Sequence, residues 1–455
     1  MLSIGNLKAN GSPKYALFVS IPLVGHMNPQ LRQAEELARR GWRVALASLS
    51  EARAHVETQA RDIGFIDLGP MGELKRRLEE VETEAALTPD FTKHTAKITG
   101  IFIDMWEPMY DSLGAAVEQD RPDMMVVNIT TLAGLEVAHR EKIPLIINSP
   151  YLLATIPSSF MPPADDLPLP YSGRSLSERG LAERITAPAA RMVRNAAMNF
   201  LIDRRVNAVR ARRGLVPTDG RAALKETMIL ANVAFGLEYS RPLPPLVQMV
   251  GPMIPDEVEP LPTEYRQWIE SGPPVVYASL GTLAVASKTL LERMVAAFTS
   301  EDFRVLWVLK EKQRAHLPSL PPNIRVASWV PSPLAILAHE NVRVFVSHCG
   351  INSVQESLHV GTPIVGIPIM ASQRDMGARV ADAGVGLSLD KGHFTAEDLR
   401  RSILRVLRDD SFRRNIPAVQ SSMQLAGGVR RAADLIEHAA AVGCAHYARG
   451  HIGAR

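Results

Sequence analysis

The stretch Trp329–Gln373, WVPSPLAILAHENVRVFVSHCGINSVQESLHVGTPIVGIPIMASQ, decides the fold. At its centre, Val342–Ser347 (VRVFVS) is a short run dominated by valine and phenylalanine, interrupted only by Arg343 before its closing serine. That is how a strand buried on both faces of a parallel sheet reads. The run stops at His348-Cys349-Gly350, and a helical pattern takes over from Val354 to His359. A strand that feeds a helix N-terminus presents unpaired N–H groups and the positive end of the helix dipole. His348, Asn352 and Ser353 add side-chain donors at the same place, and Gly350 permits close backbone approach. Together these make a diphosphate site that demands no metal. Glu356 lies one turn further along the same face, where it can accept from two ribose hydroxyls. Trp329 ends the preceding strand candidate and can lie flat against a base.

The same rhythm extends in both directions. Upstream strand candidates are Tyr15–Pro22, Trp42–Ser48, Gly64–Leu68, Met124–Asn128, Leu145–Asn148 and Met228–Asn232. A second series holds Val275–Leu280, Phe303–Leu309, Ile324–Val330, Val342–Ser347, Pro363–Ile367 and Gly386–Leu389. Helical patterns separate them, notably Pro29–Arg40, Thr95–Glu118, Thr131–Glu141 and Gln373–Ala383. Residues 151–175 are proline-dense and aperiodic, a candidate binding loop. Arg241–Pro262 is denser still in proline and reads as a stiff interdomain linker. The expected architecture is α/β, two doubly wound domains whose ligands sit at the carboxyl ends of the strands and in the cleft between them.

Composition agrees. The chain has 455 residues, 46% of them hydrophobic and 22% charged, enough to bury two cores. Its net charge of +3 and 5% aromatics give no footprint for nucleic acid. Two cysteines, Cys349 and Cys444, exclude a disulfide scaffold and a paired-cysteine metal site. No apolar core suggests a signal peptide at the start, and no stretch is apolar enough to span a membrane, so a cytoplasmic protein is expected. The sequence contains no Walker-type loop, no Gly-x-Gly-x-x-Gly after the first strand, no His-Glu-x-x-His and no Asp-x-Asp.

Taken jointly, Trp329-x-Pro331 and His348-x-Gly350-x-Asn352-Ser353-x-x-Glu356 resemble the C-terminal signature of UDP-dependent glycosyltransferases of the inverting GT-B class. Gly25-His26-x-x-Pro29, Val250-Gly251-Pro252 and Ser279-Leu280-Gly281-Thr282 extend the resemblance over nearly the whole chain. It implies two Rossmann-like domains facing a cleft. Residues 1–244 would bind the acceptor, 245–262 link, 263–425 bind the nucleotide sugar, and 426–455 form a helix packing back on the first domain. It also implies roles. His26 would be the general base, with Asn128 where the family has an orienting aspartate. Gly281, Thr282, Trp329, Val330, His348, Gly350, Asn352, Ser353, Glu356, Ser372 and Gln373 would hold the UDP-sugar. That sugar, glucose or another hexose, is a co-substrate; no cofactor or metal is implied. Phe102, Met105, Trp106, Met109, Tyr151, Phe160 and Met161 are available to line a pocket for a hydrophobic small-molecule acceptor: a polyphenol, polyketide or sterol.

The chain departs from the family pattern at two chemically important places. Asn128 can fix the His26 tautomer but cannot neutralise an imidazolium; Asp104 is the alternative carboxylate. Ser372 replaces an acidic contact to the sugar, and Asp375 either compensates or pairs with Arg374 or Arg379. Two smaller departures are Ser332, where plant enzymes have Gln, and one extra residue between Trp329 and His348, attributed to Pro333. Two alternatives follow. A sugar-nucleotide epimerase would share the architecture but needs carboxylates in the cleft. A nucleotide-sugar-binding protein that activates a partner would be consistent with Asn128 and Ser372.

Overall fold

The computed structural model describes residues 13–60, 62–88, 91–156, 161, 167–217, 227–255, 257–281, 286–370 and 372–442. Thr282 and Phe160, assigned to donor and acceptor, lie outside them. The first domain is built on strands β1 (Tyr15–Val19), β2 (Arg43–Ser48), β3 (Gly64–Asp67), β4 (Met124–Asn128), β5 (Leu145–Ser149), β6 (Met228–Ala231) and β7 (Val247–Met249). They form one parallel sheet in the order β3-β2-β1-β4-β5-β6-β7. The second domain holds β8 (Val275–Ser279), β9 (Arg304–Val308), β10 (Ile324–Ala327), β11 (Val342–Ser347), β12 (Ile364–Gly366) and β13 (Gly386–Ser388), ordered β10-β9-β8-β11-β12-β13. Every residue of β1, β4 and β12 is buried, because helices cover both faces. This is the two-domain α/β architecture read from the sequence.

The strand order reverses direction between β1 and β4, and again between β8 and β11. Ligands of such sheets bind at these switch points, beyond the carboxyl ends of the strands. Val19 pairs with Val127, so the chain leaving β1 and the end of β4 emerge side by side. Ser279 pairs with Ser347 in the same way. The first pair of ends carries His26 and Asn128; the second carries Gly281 and His348.

Four local expectations need correction. Val247–Met249, placed in the linker, is the edge strand of the first sheet. Proline density masked it, although an edge strand tolerates flanking prolines. Thr95–Glu118 is two helices, Phe91–Asp104 and Trp106–Gln119, broken at Met105. Pro108 has no N–H for the Asp104 carbonyl four residues back and crowds it, which favours a break at this point. The first long helix begins at Val24, not Pro29. The helix after β11 begins at Ile351, not Val354, which puts Asn352 and Ser353 in its first turn.

The chain crosses between the domains twice. After Val250 it leads through Pro252–Pro262 to the helix Thr263–Glu270. After the helix Ser411–Ala426 it returns as Gly428–Val442, packed on the helix Val24–Arg39. Arg40 bonds Asp434 and Glu437 there, and the Trp42 indole N–H donates to Glu437. Among the described residues no helix is long and apolar enough to cross a membrane.

Candidate active site

His26 occupies the first turn of Val24–Arg39, whose N-terminus has no side-chain cap. Its Nδ1 lies 3.3 Å from Asn128 Oδ1. Thr130 donates to that same oxygen through its backbone N–H at 3.1 Å and its hydroxyl at 2.7 Å. An N–H can only donate, so the atom it meets is fixed as the amide oxygen, and His26 Nδ1 must carry the proton. Nε2 therefore presents a lone pair, the form a general base needs. Burial lowers the His26 pKa from 6.5 to about 4, with the bond to Asn128 opposing the shift. The ring is neutral near pH 7. The shift is downward because the imidazole is desolvated and no carboxylate faces it. Asp104 does not supply one, since it is paired with Arg205 and Arg77.

The acceptor side is only partly as expected. Phe102 meets the His26 ring edge-on, with centroids 5.7 Å apart. Tyr151 does the same at 5.2 Å, and its hydroxyl is 3.1 Å from His26 Nε2. Met105, Trp106 and Met109 are buried in the core of the first domain with Leu113, Val117 and Val127. The helix break at Met105 resets the phase, so this stretch faces the sheet. Met161 is buried with Leu152, Leu153 and Ile156.

Pro29 sits inside the helix and has no N–H for the carbonyl four residues back, that of Gly25. That carbonyl instead accepts from Asn352 Nδ2 at 3.0 Å, across the cleft. The Gly-His-x-x-Pro spacing therefore has a local cause: the proline releases a carbonyl beside the base, and the second domain takes it up.

On the donor side, His348 follows β11. Its Nδ1 is buried without a partner, and burial lowers its pKa to about 4 against the backbone of Ser279. Gly281, at φ +81°, and Gly350 enclose this imidazole. A Cβ on Gly281 would fall 2.6 Å from its Nε2 and one on Gly350 2.3 Å from it. Both glycines thus make room for the histidine ring. Cys349 adopts φ +61° and is fully buried, its thiol pushed up to about 12 by desolvation, so it takes no part in chemistry. The helix Ile351–His359 opens at Gly350 with no side-chain cap, leaving its first N–H groups for a ligand. Glu356 lines a narrow cleft with Asn28, Pro29, Pro252, Met253, Ile254, Asn352 and Gln355. Burial raises its pKa to about 7, with Arg32 opposing.

β10 ends at Ala327, earlier than expected, and leaves Trp329 66% exposed. Val330 is buried beneath it. Ser332 caps the short helix Pro333–Leu337 by accepting from Ala335 N at 3.2 Å. Pro333 is its first residue, a position proline favours. These two departures form one helix start.

Gln373 Oε1 accepts from the Ile369 and Met370 N–H groups at 2.8 and 2.9 Å, which turns its amide nitrogen outward as the group on offer. Ser372 precedes the helix Gln373–Asp382 without capping it. Asp375 is buried and accepts from Tyr171 N at 2.5 Å and Gly173 N at 2.9 Å. It holds the loop of the first domain and does not replace the missing carboxylate. Beside it, Arg379 pairs with Glu238 at 2.7 Å, with side chains 5% and 1% exposed. Glu238 also accepts from Leu153 N at 2.7 Å. Sequence reasoning missed Thr130, Glu238 and the Gly25 carbonyl. Only Thr130 left a signal, as the Asn-x-Thr of a side-chain-stabilised turn.

A desolvated histidine whose Nε2 accepts thus faces an uncapped helix end across a narrow cleft, at two opposed switch points. The model of the UDP-glucoronosyl and UDP-glucosyl transferase family matches residues 111–424, and the chain belongs to this family. Among its relatives, a UDP-glycosyltransferase of Talaromyces amestolkiae is 28% identical over 70% of this chain. The chain spans 65% of that protein's length. The 4'-demethylrebeccamycin synthase of Lentzea aerocolonigenes is 28% identical over 92% of this chain and 98% of its own. Among solved structures, the glycotransferase of kitacinnamycin superposes with a TM-score of 0.68 at 25% identity, covering 94% of this chain and 99% of that one. That likeness extends to both domains.

Proposed function

We propose that the protein is an inverting, metal-independent glycosyltransferase that moves a hexose, glucose in the first instance, from a UDP-sugar to a hydroxyl of a hydrophobic small molecule. The observation that supports this reading best is the Asn352–Gly25 hydrogen bond. It brings the diphosphate-binding helix end against the residue next to the base, so a sugar on that diphosphate would lie beside His26. Trp329 stacks the uracil, which accounts for so large an apolar side chain standing exposed. Glu356 accepts from the ribose. His348 and the N–H groups of the helix hold the diphosphate. Gln373 and Ser372 contact the sugar.

The acceptor oxygen loses its proton toward His26 and attacks the anomeric carbon from the face opposite the diphosphate. Negative charge grows on the departing UDP, where the helix end and His348 stabilise it. A single displacement turns an α-linked donor into a β-glycoside. The acceptor is a polyphenol, polyketide or sterol; two relatives are themselves named as a 4'-demethylrebeccamycin synthase and a glycotransferase of kitacinnamycin.

The test is a panel of UDP-sugars with mixed phenols and alcohols, read by mass spectrometry. A new β-glycoside is expected, with the rate falling by about 10²–10⁴ in His26→Ala. UDP binding without any transfer would favour the partner-activating alternative. Full activity in His26→Ala would remove the base assignment.

A further inference from the structure

Both nitrogens of the His26 ring are engaged. Nδ1 meets Asn128, and Nε2 lies 3.1 Å from the Tyr151 hydroxyl. Because Thr130 fixes the tautomer, Nε2 accepts and the phenol donates. A base must stand about 2.6–3.2 Å from the proton-bearing atom it serves, and Tyr151 already fills that position. An acceptor hydroxyl therefore meets the phenol oxygen, whose lone pairs face away from the proton it shares with His26.

Tyr151 is not a loose plug. It follows β5 directly, and Leu152 and Leu153 after it are fully buried. The Leu153 N–H is bound to Glu238, which is held by Arg379 of the second domain. The ring itself packs edge-on against His26.

We propose that Tyr151 is a catalytic residue that relays the acceptor's proton to His26. The inference rests on the glycosyl-transfer reading above. In the step, the acceptor O–H bond breaks and its proton passes to the Tyr151 oxygen. The Tyr151 O–H bond breaks and that proton passes to His26 Nε2. The acceptor oxygen bonds the anomeric carbon, whose bond to the diphosphate oxygen breaks with the electron pair leaving on UDP. Tyrosine is regenerated neutral, and the products are glycoside, UDP and an imidazolium. The anionic UDP in the same cleft supplies the counter-charge that Asn128 cannot. Burial raises the phenol's pKa, so it holds its proton until the step occurs.

Tyr151→Phe removes one oxygen and keeps the ring. The relay predicts a drop in kcat of about ten- to a hundredfold, with unchanged KM for the UDP-sugar and an unchanged melting temperature. Wild-type single-turnover rates in H2O–D2O mixtures should bow downward with deuterium fraction, because two protons are in flight. In Tyr151→Phe the plot should become linear. A linear wild-type plot overturns the relay without any variant. A Tyr151→Phe enzyme as fast as wild type, or faster, also overturns it, since the phenol is then a placeholder that acceptors displace. A wild type that transfers no sugar overturns the parent reading and the relay with it; an active wild type with an equally fast variant overturns the relay alone.

Discussion

Asn128→Asp places a carboxylate 3.3 Å from His26 Nδ1, where the wild type has a neutral amide. The wild-type ring starts with a pKa of about 4, set by burial. An opposite charge at this range raises a histidine pKa by about 1–3 units, and each unit is 1.36 kcal/mol in favour of the imidazolium. The expected base pKa is therefore about 5–7. The imidazolium exists only once the acceptor has given up its proton, so this stabilisation enters the transition state. Even the low end predicts about tenfold faster transfer to alcohol acceptors near neutral pH. The gain should be smaller for phenols, whose protons leave more readily. The sign for pH is fixed. Activity needs neutral His26, so the acidic limb of kcat/KM should move upward from about pH 4 in wild type. The substitution also replaces the buried, unpartnered Asn128 Nδ2 by an anionic oxygen with no donor. Some loss of melting temperature should accompany the gain in rate. Rates against pH on one alcohol and one phenol, with an NMR titration of the His26 ring, make the measurement. An acidic limb and alcohol rate that stay where they were would show that Asn128 does not act on the base.

Three further outcomes follow from the geometry. In Gly350→Ala the backbone is tolerated, but the new Cβ would lie 2.3 Å from His348 Nε2, so the ring must turn away. UDP-sugar affinity should drop about tenfold or more by calorimetry, and unchanged affinity would show that the ring's position is not set by this glycine. Burial raises the Glu356 pKa to about 7, and its carboxylate accepts ribose hydroxyls more strongly than the protonated carboxyl, so UDP-sugar affinity should rise as pH passes upward through 7. Glu356→Gln should flatten that profile, and a slope surviving in the variant would assign the titration elsewhere. Pro29→Ala restores an N–H to compete for the Gly25 carbonyl. The helix should gain up to about 3 kcal/mol while transfer slows, and an unchanged rate would deny the Asn352 contact a role.

Much of this was legible in the sequence because parallel strands carry their burial openly. YALFV in β1 and MMVV in β4, before Asn128, are apolar runs of strand length, and a sheet covered on both faces hides such runs. The residues at the strand ends were legible for a related reason, since a switch point puts them together whatever the loops do. What failed was decided by backbone or by distance. Asp375 binds two N–H groups, which no side-chain pattern records. Tyr151 and His26 are 125 positions apart, so their contact belongs to the fold and not to any motif. β7 was hidden by its prolines, and the core positions of Met105, Trp106 and Met109 by the helix break at Met105.

The two chain crossings meet at one spot. The Gly428 N–H donates to the Val250 carbonyl at 2.7 Å. A Cβ on Gly251 would lie 3.0 Å from Ala426 Cβ, and Gly251, Gly427 and Gly428 all have left-handed φ. Two strands of chain that touch act mechanically as a single pin. Displacement on rotation grows with distance from the pin, and Pro252, Met253 and Ile254 next to it line the cleft that holds Glu356. A swing of the domains would leave the seat of the ribose almost still.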